Sequence, residues 1–337
     1  MEIKEVTEKS LWEKALDSCE NVYFPQSWNW GEVEIKKNHE PIRLAVYEDK
    51  KLVSAVQLIH VKAKRGNYLE AMLGPVFTKD CKDRDLVFTE LIKFTKKYKA
   101  DFLRIGPPIP ESEEVRKEFM DLKFKKKIGQ NQGAESTLII NLHDSEDEIL
   151  GLMRKNTRYY IRRAEKDGVK IKIFENENEN GIKDFISLYN ETLDRVGFVS
   201  HKGIEDEFNI LSKDKQAVII TAYYDDIPLS SGVFVMYRDY GVYHHGATSM
   251  KMPKIPASYA MLWEAIKYAK RNGKLFFSLW GVVGDDQTKH PWYGFSRFKR
   301  GFSENEIHYI RMQDYPFNLK YRSTRLYEKF EGWRKGY

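Results

Sequence analysis

The sequence predicts a mixed α/β protein of the α+β class, built from two tandem domains of one architecture. Its 337 residues exceed the ~250 residues beyond which a single hydrophobic core seldom grows, so two domains are expected. AVYEDKKLVSAV at 45–56 aligns without a gap with AYYDDIPLSSGV at 222–233. DFLRIG at 101–106 aligns with FFSLWG at 276–281. These repeats indicate that a plan of hairpin, strand, helix and strand occurs twice.

The first half supplies the elements of one such plan. Ser10 is expected to cap a first helix and Ser27 a second, because serine accepts hydrogen bonds from the first free backbone amides of a helix. A hairpin is predicted about the turn Glu48–Lys51. The remaining predicted elements are strands at 2–6, 67–77 and 101–106, a helix at 86–98, and a strand STLIINL at 136–142 that continues the first sheet.

A long helix at 146–167 is expected to link the halves. Ser145 and Glu148 form a capping box at its start, and Gly168 ends it. Further helices are predicted at 181–195 and 204–213. The buried stripe of the linking helix is expected at Ile149, Met153, Tyr160 and Ala164.

The domain boundaries follow from this linking helix. The first domain is predicted to comprise residues 1–144 and 310–337, and the second residues 145–309. The chain ends in LKYRSTRLYEKFEGWRKG, whose aromatic side chains need a partner, so this helix is expected to return to the first domain.

Composition narrows the functional classes. The two cysteines, Cys19 and Cys81, lack metal-ligand spacing, so no metal site is expected. No run of ~18 apolar residues and no signal core occur, which favours a cytoplasmic protein. The net charge of +6 is concentrated in basic clusters at 123–127, 154–166 and 297–300. Such clusters favour a polyanionic partner such as RNA, a nucleotide or an anionic membrane surface, or they are ordinary solvated charge.

The repeated plan is similar to acyl-CoA N-acyltransferase (GNAT) folds, but the cofactor motifs are missing. None of the 21 glycines lies two residues from another, so there is no Gly-x-Gly to hold the CoA pyrophosphate. Walker and dinucleotide-binding patterns are also lacking, which disfavours CoA, ATP and NAD and predicts no cofactor. His244 and His245 are adjacent on a predicted strand, so they are expected to point to opposite faces.

Three groups of motifs carry a family resemblance. QSWNWGE lies near the N-terminus, MRKNTRYYIRRAEKDGVKI in the middle, and YHHGATS, YAMLWEAIKYAK, LWGV and GFSRFKRGF follow near the end. In this order they resemble the Fem family of non-ribosomal peptidyltransferases. The resemblance runs over essentially the whole chain and implies two GNAT-like domains. Because 146–170 leads straight into a strand, the chain is similar to short members that lack a coiled-coil arm.

The resemblance implies transfer of an amino acid from aminoacyl-tRNA to an amine of a peptidoglycan precursor, either UDP-MurNAc-pentapeptide or lipid II. The ester on the tRNA is already activated, which fits a chain without cofactor motifs. Such an enzyme aligns amine and ester and stabilises the developing oxyanion. A cytoplasmic location, at or away from the inner face of the membrane, is expected, and peripheral membrane contact stays open.

The resemblance also assigns residues to the tRNA 3′ end. Phe298 and Lys299 match the family's Phe-Lys pair: the ring offers a stacking face and the ammonium a catalytic positive charge. Arg297 and Arg300 flank this pair and are expected to bind tRNA. In the linking helix, Arg154, Arg158 and Arg162 are expected to follow the tRNA backbone.

Precursor binding is assigned to lysines by the same resemblance. Lys36 or Lys37, after the QSWNWG helix, matches a family lysine, with Lys37 the better match, and Lys202 stands where some members have arginine. A lysine grips a diphosphate as a point charge and not through a bidentate fork. Trp28 and Trp30 are too close in sequence to share one helical face fully, so one of them, assigned as Trp30, is expected at a cavity.

A general base is not evident in the sequence. An acidic residue found in some members is replaced by Gly106, so the acceptor amine is left to lose its proton to water or to the substrate. Tyr243 and Arg104 are candidate supporting groups in substrate binding.

Two other functions stay open at this point. One is transfer from aminoacyl-tRNA to a different amine, on a protein or another envelope polymer. The other is a non-catalytic module that binds RNA or lipid headgroups. Acceptor-dependent release of amino acid from charged tRNA separates an enzyme from a binding module.

Overall fold

The computed structural model describes residues 1–63, 66–128, 135–176, 180–196 and 201–335. They form two compact units: the first comprises Met1–Glu135 and His308–Tyr337, and the second comprises Ser136–Ile307. The segment 136–144, which the sequence assigned to the first domain, therefore lies in the second unit.

The elements have the following bounds. The strands are β1 Glu2–Glu5, β2 Glu40–Glu48, β3 Lys51–Ala63, β4 Gly66–Met72, β5 Val76–Phe77, β6 Phe102–Gly106, β7 Lys125–Lys126, β8 Ser136–Asn141, β9 Lys170–Phe174, β10 Ala217–Tyr224, β11 Ile227–Tyr237, β12 Tyr240–Thr248, β13 Phe276–Gly281, β14 Glu306–His308 and β15 Gln313–Pro316. The helices are α1 Lys9–Asp17, α2 Trp28–Lys36, α3 Arg84–Thr95, α4 Glu113–Asp121, α5 Glu146–Leu152, α6 Lys155–Lys166, α7 Gly181–Val196, α8 Ile204–Ser212, α9 Ala257–Arg271, α10 Tyr293–Lys299 and α11 Lys320–Lys335.

The first unit is built on a mixed sheet with strand order β1-β2-β3-β4-β6-β15-β7, with β5 beside β3. Strands β4 and β6 are parallel and paired at five successive positions, from Tyr68–Phe102 to Met72–Gly106. Apolar side chains of α3 and α4, such as Phe88 and Phe119, pack on the sheet. Helix α11 lies against β4.

The second unit has strand order β14-β8-β13-β12-β11-β10-β9. Strand β8 pairs with β13 in this sheet, so the prediction that STLIINL continues the first sheet was wrong. Local sequence cannot assign a strand to one of two sheets, because both offer an edge to pair with. Helix α9 buries Met261, Leu262 and Ile266 against Phe234 and Phe277 of the sheet.

The repeated hairpins have the same turn. The β2–β3 turn places Asp49 and Lys50 at φ values of 47° and 67°, and the β10–β11 turn places Asp225 and Asp226 at 49° and 59°. Two central residues with positive φ form a type I′ turn, whose twist matches that of the flanking strands. The sequence repeat therefore corresponds to a repeated backbone conformation.

The caps were predicted only in part. Ser27 accepts a hydrogen bond from the amide of Trp30, and the capping box of Ser145 and Glu148 is present. Helix α1, however, begins at Lys9, so Ser10 lies inside it.

The linking helix is two helices and not one. Met153 adopts an extended conformation with ψ of 155°, which ends α5 before α6 starts at Lys155. The guanidinium of Arg158 donates hydrogen bonds to the carbonyls of Gly151 and Met153, at 2.6 and 2.8 Å. The side chain assigned to tRNA thus satisfies the open C-terminus of α5.

QSWNWG is largely a folding motif. The side chain of Gln26 donates to the carbonyl of Met72 and accepts from the amide of Gln57. A Cβ at Gly31 would collide with the guanidinium of Arg43 and the side chain of Gln57, so any other residue would displace this hydrogen-bonded pair. Trp30 is buried and packs edge-on against Phe24, which excludes its assignment to an open cavity.

A buried ion-pair network fixes the C-terminal segment in the first unit. Arg104 on β6 is 1% exposed and donates to both carboxylate oxygens of Asp314 on β15, at 2.6 and 2.9 Å. It also donates to both oxygens of Glu328 on α11, at 2.8 and 3.0 Å, and Tyr321 donates to Asp314. Arg104 is therefore a structural residue of the first unit, contrary to its assignment as a substrate-binding group.

Removing this arginine should destabilise the first unit. We expect Arg104→Met to lower the free energy of unfolding by about 3–5 kcal/mol, because the buried Asp314 and the partly buried Glu328 both lose their guanidinium partner. Urea unfolding followed by tryptophan fluorescence measures the change. Arg116→Met, which removes an exposed ion pair with Glu111, is the matched control and should leave stability nearly unchanged. Equal stabilities of the two variants would contradict the role given to Arg104.

Candidate active site

The second unit opens where its two parallel strands separate. Strands β12 and β13 are paired at three positions, the last of which joins Val242 and Ser278. Beyond this pair, β12 runs on to Thr248 and β13 to Gly281. The corresponding parallel pair of the first unit, β4 and β6, is paired at five successive positions. The backbone groups of β12 and β13 beyond Val242 and Ser278 are therefore not paired with each other.

Irregularities in both strands accompany this separation. On β12 the register shifts between Tyr243 and His245, so His244 is a bulged residue. On β13 the register shifts between Ser278 and Gly281. Trp280 has φ of +60°, which is an outlier for a bulky side chain. Bulges and strained residues of this kind occur next to active sites, where they re-aim side chains.

Lys299 lies at the end of the separated strand. Its Nζ donates a hydrogen bond to the carbonyl of Gly281 at 2.8 Å and lies 5.7 Å from the centre of the Tyr243 ring. Burial lowers the pKa of Lys299 to about 7, because the loss of water disfavours the charged ammonium. The structure thus brings Lys299 and Tyr243 together, and Lys299 can be present in both protonation states near neutral pH.

Helix α10 is fixed to the segment that follows β13 by hydrogen bonds to Val283. The amide of Val283 donates to the hydroxyl of Ser296, and its carbonyl accepts from Arg300 at 2.7 Å. Arg300 is buried and also donates to Glu306. It therefore positions α10, contrary to its assignment as a tRNA contact.

The rings of α10 divide into packed and exposed ones. Phe298 is half-buried and lies edge-on to Tyr259 and Phe302, at centroid distances of 5.1 and 5.2 Å. Its main role in the structure is to pack α10 on the core, and stacking on tRNA stays a prediction. Phe295, which the sequence analysis passed over, is 37% exposed, and Arg297 is exposed.

A second cluster of titratable groups lies on β12 and α8. Nε2 of His244 and Nε2 of His245 lie 3.0 and 3.3 Å from one oxygen of Glu207. The two rings are 4.0 Å apart, so the prediction that they point to opposite faces was wrong. The cause is the bulge at His244, which interrupts the strict alternation of a strand.

Glu207 is the residue of this cluster that sequence analysis missed. The Glu207 side chain is 5% exposed. Burial raises its pKa, but the two imidazoles have the larger opposite effect, so the pKa lies well below its usual range and the carboxylate is charged. The three side chains could also hold a metal ion, since one ligand atom from each lies within 4.8 Å of the others. The sequence analysis predicted no metal site.

Helix α6 carries an exposed basic stripe. Lys155, Tyr159, Arg162 and Lys166 follow the spacing i, i+4, i+7 and i+11 and are all exposed. Arg154, by contrast, is ion-paired with Glu304 at 3.1 Å, and Arg158 caps α5. Of the three arginines assigned to tRNA on this segment, Arg162 alone belongs to the stripe.

The lysines assigned to the precursor differ in their surroundings. Nζ of Lys37 is 2.8 Å from a carboxylate oxygen of Glu34 and 4.9 Å from the Trp30 ring, so this side chain is held within the first unit. Lys36 in the first unit and Lys202 in the second are exposed. Lys37, the better sequence match, is therefore held by contacts within the first unit, whereas Lys36 is exposed.

Comparison with known proteins gives a consistent result. The sequence matches the FemAB family over residues 12–131, 122–208 and 204–329. It is 24% identical over 353 residues to aminoacyltransferase FemA of Staphylococcus epidermidis, across 78% of this chain and 83% of that protein. The crystal structure of FemX matches with a TM-score of 0.83 at 18% identity, over 97% of this chain and 100% of that chain.

The same fold occurs outside this family. A tandem GNAT protein from the clavulanic acid biosynthesis pathway matches with a TM-score of 0.53 at 8% identity, over 94% of this chain and 98% of that chain. The two sheets of the present chain are thus two GNAT-like domains in tandem. Since the family match extends over nearly the whole sequence and a curated relative is named an aminoacyltransferase, this chain belongs to the FemAB family and is an aminoacyltransferase.

Proposed function

We propose that the chain transfers an amino acid from aminoacyl-tRNA to an amine of a peptidoglycan-precursor stem peptide, as in forming an interpeptide bridge. The observation that carries the proposal is Lys299, a lysine with a pKa near 7 at the separated ends of β12 and β13. Family membership supports the reaction class, and the lack of a Gly-x-Gly nest supports a donor other than acyl-CoA.

The proposed reaction is aminolysis of an ester. The neutral acceptor amine attacks the ester carbonyl and a C–N bond forms, the nitrogen loses a proton to water or to the substrate, and the C–O bond to the ribose breaks. The ammonium of Lys299 stabilises the oxyanion and can give its proton to the departing ribose oxygen. A pKa near 7 suits this donor, because proton transfer is most effective when the pKa lies near the working pH.

The direct test uses charged tRNA and both forms of precursor. Purified protein is incubated with a mixture of aminoacylated tRNAs and either UDP-MurNAc-pentapeptide or lipid II. Mass spectrometry then identifies the precursor that gains an aminoacyl mass. If neither precursor gains an aminoacyl group while another amine does, the assignment of the acceptor is overturned.

Replacing Lys299 should lower the activity of a protein that still folds. We expect Lys299→Met to lower turnover about 10²-fold or more, since the transition-state charge loses its stabilising partner. Lys299→Arg keeps the charge but cannot give up its proton, so it distinguishes charge stabilisation from proton donation. Near-normal turnover of folded Lys299→Met would contradict the role.

The pH dependence of stability offers a control for this variant. The pKa of Lys299 is lowered on folding, so between about pH 7 and the unfolded pKa of ~10.4 the unfolded chain binds more protons than the folded one. Wild-type stability must then rise with pH in this window relative to Lys299→Met. Melting temperatures at pH 7 and pH 9 measure this difference, and a constant difference would contradict the lowered pKa.

We propose that the stripe on α6 follows the tRNA backbone. Its three cations face solvent, and Tyr159, which is 56% exposed, offers a stacking face between them. This assigns tRNA docking to Lys155, Arg162 and Lys166, while Arg154 and Arg158 serve the local structure. Lys36 of the first unit and Lys202 of the second are separate candidates for a contact with the precursor, because each side chain is exposed.

Removing the cations of the α6 stripe should weaken the salt dependence of tRNA affinity. Replacing Lys155, Arg162 and Lys166 by alanine should make the slope of log affinity against log salt shallower by about 2, from roughly 0.7–0.9 per phosphate contact. Filter binding at several salt concentrations gives the slopes. Arg158→Ala, on the same helix, is the control and should leave the slope unchanged. An unaltered slope in the triple variant would exclude this docking surface.

We further propose that α11 contacts the inner face of the membrane. Among the described residues no helix is long and apolar enough to cross a bilayer. Leu326, Phe330 and Trp333 form an exposed stripe on α11, and Leu319 lies in line with it just before the helix. The Phe330 and Trp333 rings lie 6.1 Å apart. Exposed Arg322 and Lys329 accompany the stripe, and such basic and aromatic surfaces bind anionic lipid interfaces.

Vesicle binding tests this contact. Sedimentation with vesicles of anionic phosphatidylglycerol should retain the wild type, and the double variant Phe330→Ser, Trp333→Ser should bind at least tenfold more weakly. Leu152→Ser is the matched control, since Leu152 is 76% exposed on α5. Equal binding of all three proteins would exclude α11 as the contact.

A further inference from the structure

The cluster of Glu207, His244 and His245 takes no part in the reaction proposed above. Nε2 of each imidazole lies close to the same oxygen of Glu207, at 3.0 and 3.3 Å. Neither contact has the geometry of a hydrogen bond, and all three atoms are buried. Buried polar atoms this close to one another normally form hydrogen bonds, so the convergence favours a common partner that all three atoms contact.

The bulge in β12 is what assembles the cluster. In a regular strand, His244 and His245 would lie on opposite faces, and only one of them would reach Glu207. The register shift places both rings on the same side, with their centroids 4.0 Å apart. Glu207 approaches them from the first turn of α8. Three side chains that can bind a metal are thus brought together by a departure from regular strand geometry, as bulges often do at functional sites.

The donor atoms and their spacing match a tetrahedral zinc site. Bond lengths of about 2.0–2.2 Å and tetrahedral angles place neighbouring ligand atoms about 3.3 Å apart. The separations from Glu207 to the two histidines are 3.0 and 3.3 Å, and the three atoms all lie within 4.8 Å of one another. Zinc binds nitrogen as well as oxygen, whereas magnesium and calcium bind through oxygen. In the part of the chain that the structure describes, no other group of His, Cys, Asp and Glu side chains brings three ligand atoms this close.

Aromatic rings border the cluster and make its surroundings apolar. Trp280 lies edge-on to His244 at a centroid distance of 5.7 Å, and the fully buried Phe185 lies 6.5 Å from His245. An apolar shell keeps water from a metal site and strengthens the attraction between a divalent cation and its ligands. The same shell makes the charge of Glu207 costly unless a cation neutralises it.

We propose that Glu207, His244 and His245 bind one zinc ion through a carboxylate oxygen and Nε2 of each imidazole. The ion joins α8 to the bulged part of β12 and so stabilises the second unit. Three protein ligands leave a fourth position for water. The sequence analysis expected no metal site because it considered the two cysteines, and neither belongs to this cluster. The proposal does not depend on the transfer reaction assigned to Lys299.

Metal content and zinc affinity test the proposal. The full chain, purified without a histidine tag, should contain one zinc ion per molecule by mass spectrometry of the elements. After a chelator has removed the ion, titration with zinc sulfate against a metal-sensitive dye gives the affinity. Glu207→Gln and His245→Gln should each lower this affinity by about 10²-fold or more, because even residues that only support a ligand contribute about 10–100-fold.

Two matched variants serve as controls for this titration. Glu205→Gln is the same change at an exposed position on α8, two residues before the proposed ligand. His143→Gln is the same change at an exposed histidine of the second unit. Both should bind zinc with the affinity of the wild type.

Binding should also stabilise the folded chain. A ligand that binds only the folded state raises the melting temperature as its concentration increases. Zinc sulfate should therefore raise the melting temperature of the metal-free wild type and of Glu205→Gln, but not that of Glu207→Gln. Magnesium sulfate at the same concentrations should have no such effect on any of the three proteins, because two of the ligand atoms are nitrogens.

Each other outcome overturns the proposal. A wild type that neither contains zinc nor gains thermal stability from it would leave the cluster as an internal ion pair. Equal zinc affinity of the wild type and Glu207→Gln would place the ion elsewhere. If the glutamine variants do not fold, X-ray absorption of the zinc-loaded wild type decides: nitrogen and oxygen ligands at about 2.0–2.2 Å are expected, and sulfur at about 2.3 Å would assign the ion to cysteine. None of these measurements uses tRNA or a precursor, so failure of the transfer reaction would not affect them.

Discussion

The end of the β12–β13 pairing at Val242 and Ser278 is the constraint on which the rest of the second unit depends. A continuous parallel pair would place the backbone groups of both strands in hydrogen bonds and leave no space between them. Once the strands separate, the carbonyl of Gly281 becomes available to Lys299, and β12 can carry a bulge without losing its pairing to β11. The chemistry of the site follows from this loss of regular pairing.

The two units show how one architecture can serve stability in one copy and chemistry in the other. In the first unit the parallel pair β4–β6 stays closed, and its central arginine, Arg104, is used to hold β15 and α11. In the second unit the corresponding pair ends early beside Lys299, whose pKa is lowered to about 7 by burial. A cation that is neutralised internally stabilises the fold, whereas one that is only desolvated is ready to meet an anion from outside.

Sequence analysis could predict what depends on local pattern. The aligned hairpins share type I′ turns, and Ser27 and the Ser145–Glu148 box cap helices as expected, because these features need only neighbouring residues. Contacts between residues distant in sequence could not be predicted. Strand β8 pairs in the second sheet, and Arg300 is buried against Val283 and Glu306. A β-bulge interrupts the alternation of side chains between the two faces of a strand. Since alternation is the only sequence signal for the facing of His244 and His245, one inserted residue reverses the prediction.

Glu207 shows why a site of this kind is hidden in a sequence. It is one of 50 acidic residues and lies in the first turn of α8, where Glu205 and Asp206 precede it and a solvated helix start is the ordinary reading. Only the fold reveals that it is buried beneath two imidazoles. The strained Trp280, the desolvated Lys299 and the buried Glu207 would each be unfavourable alone, and they occur within one contiguous part of the second unit. Local rules that are broken together at one place are the mark of a functional site, because selection for folding alone would remove each of them.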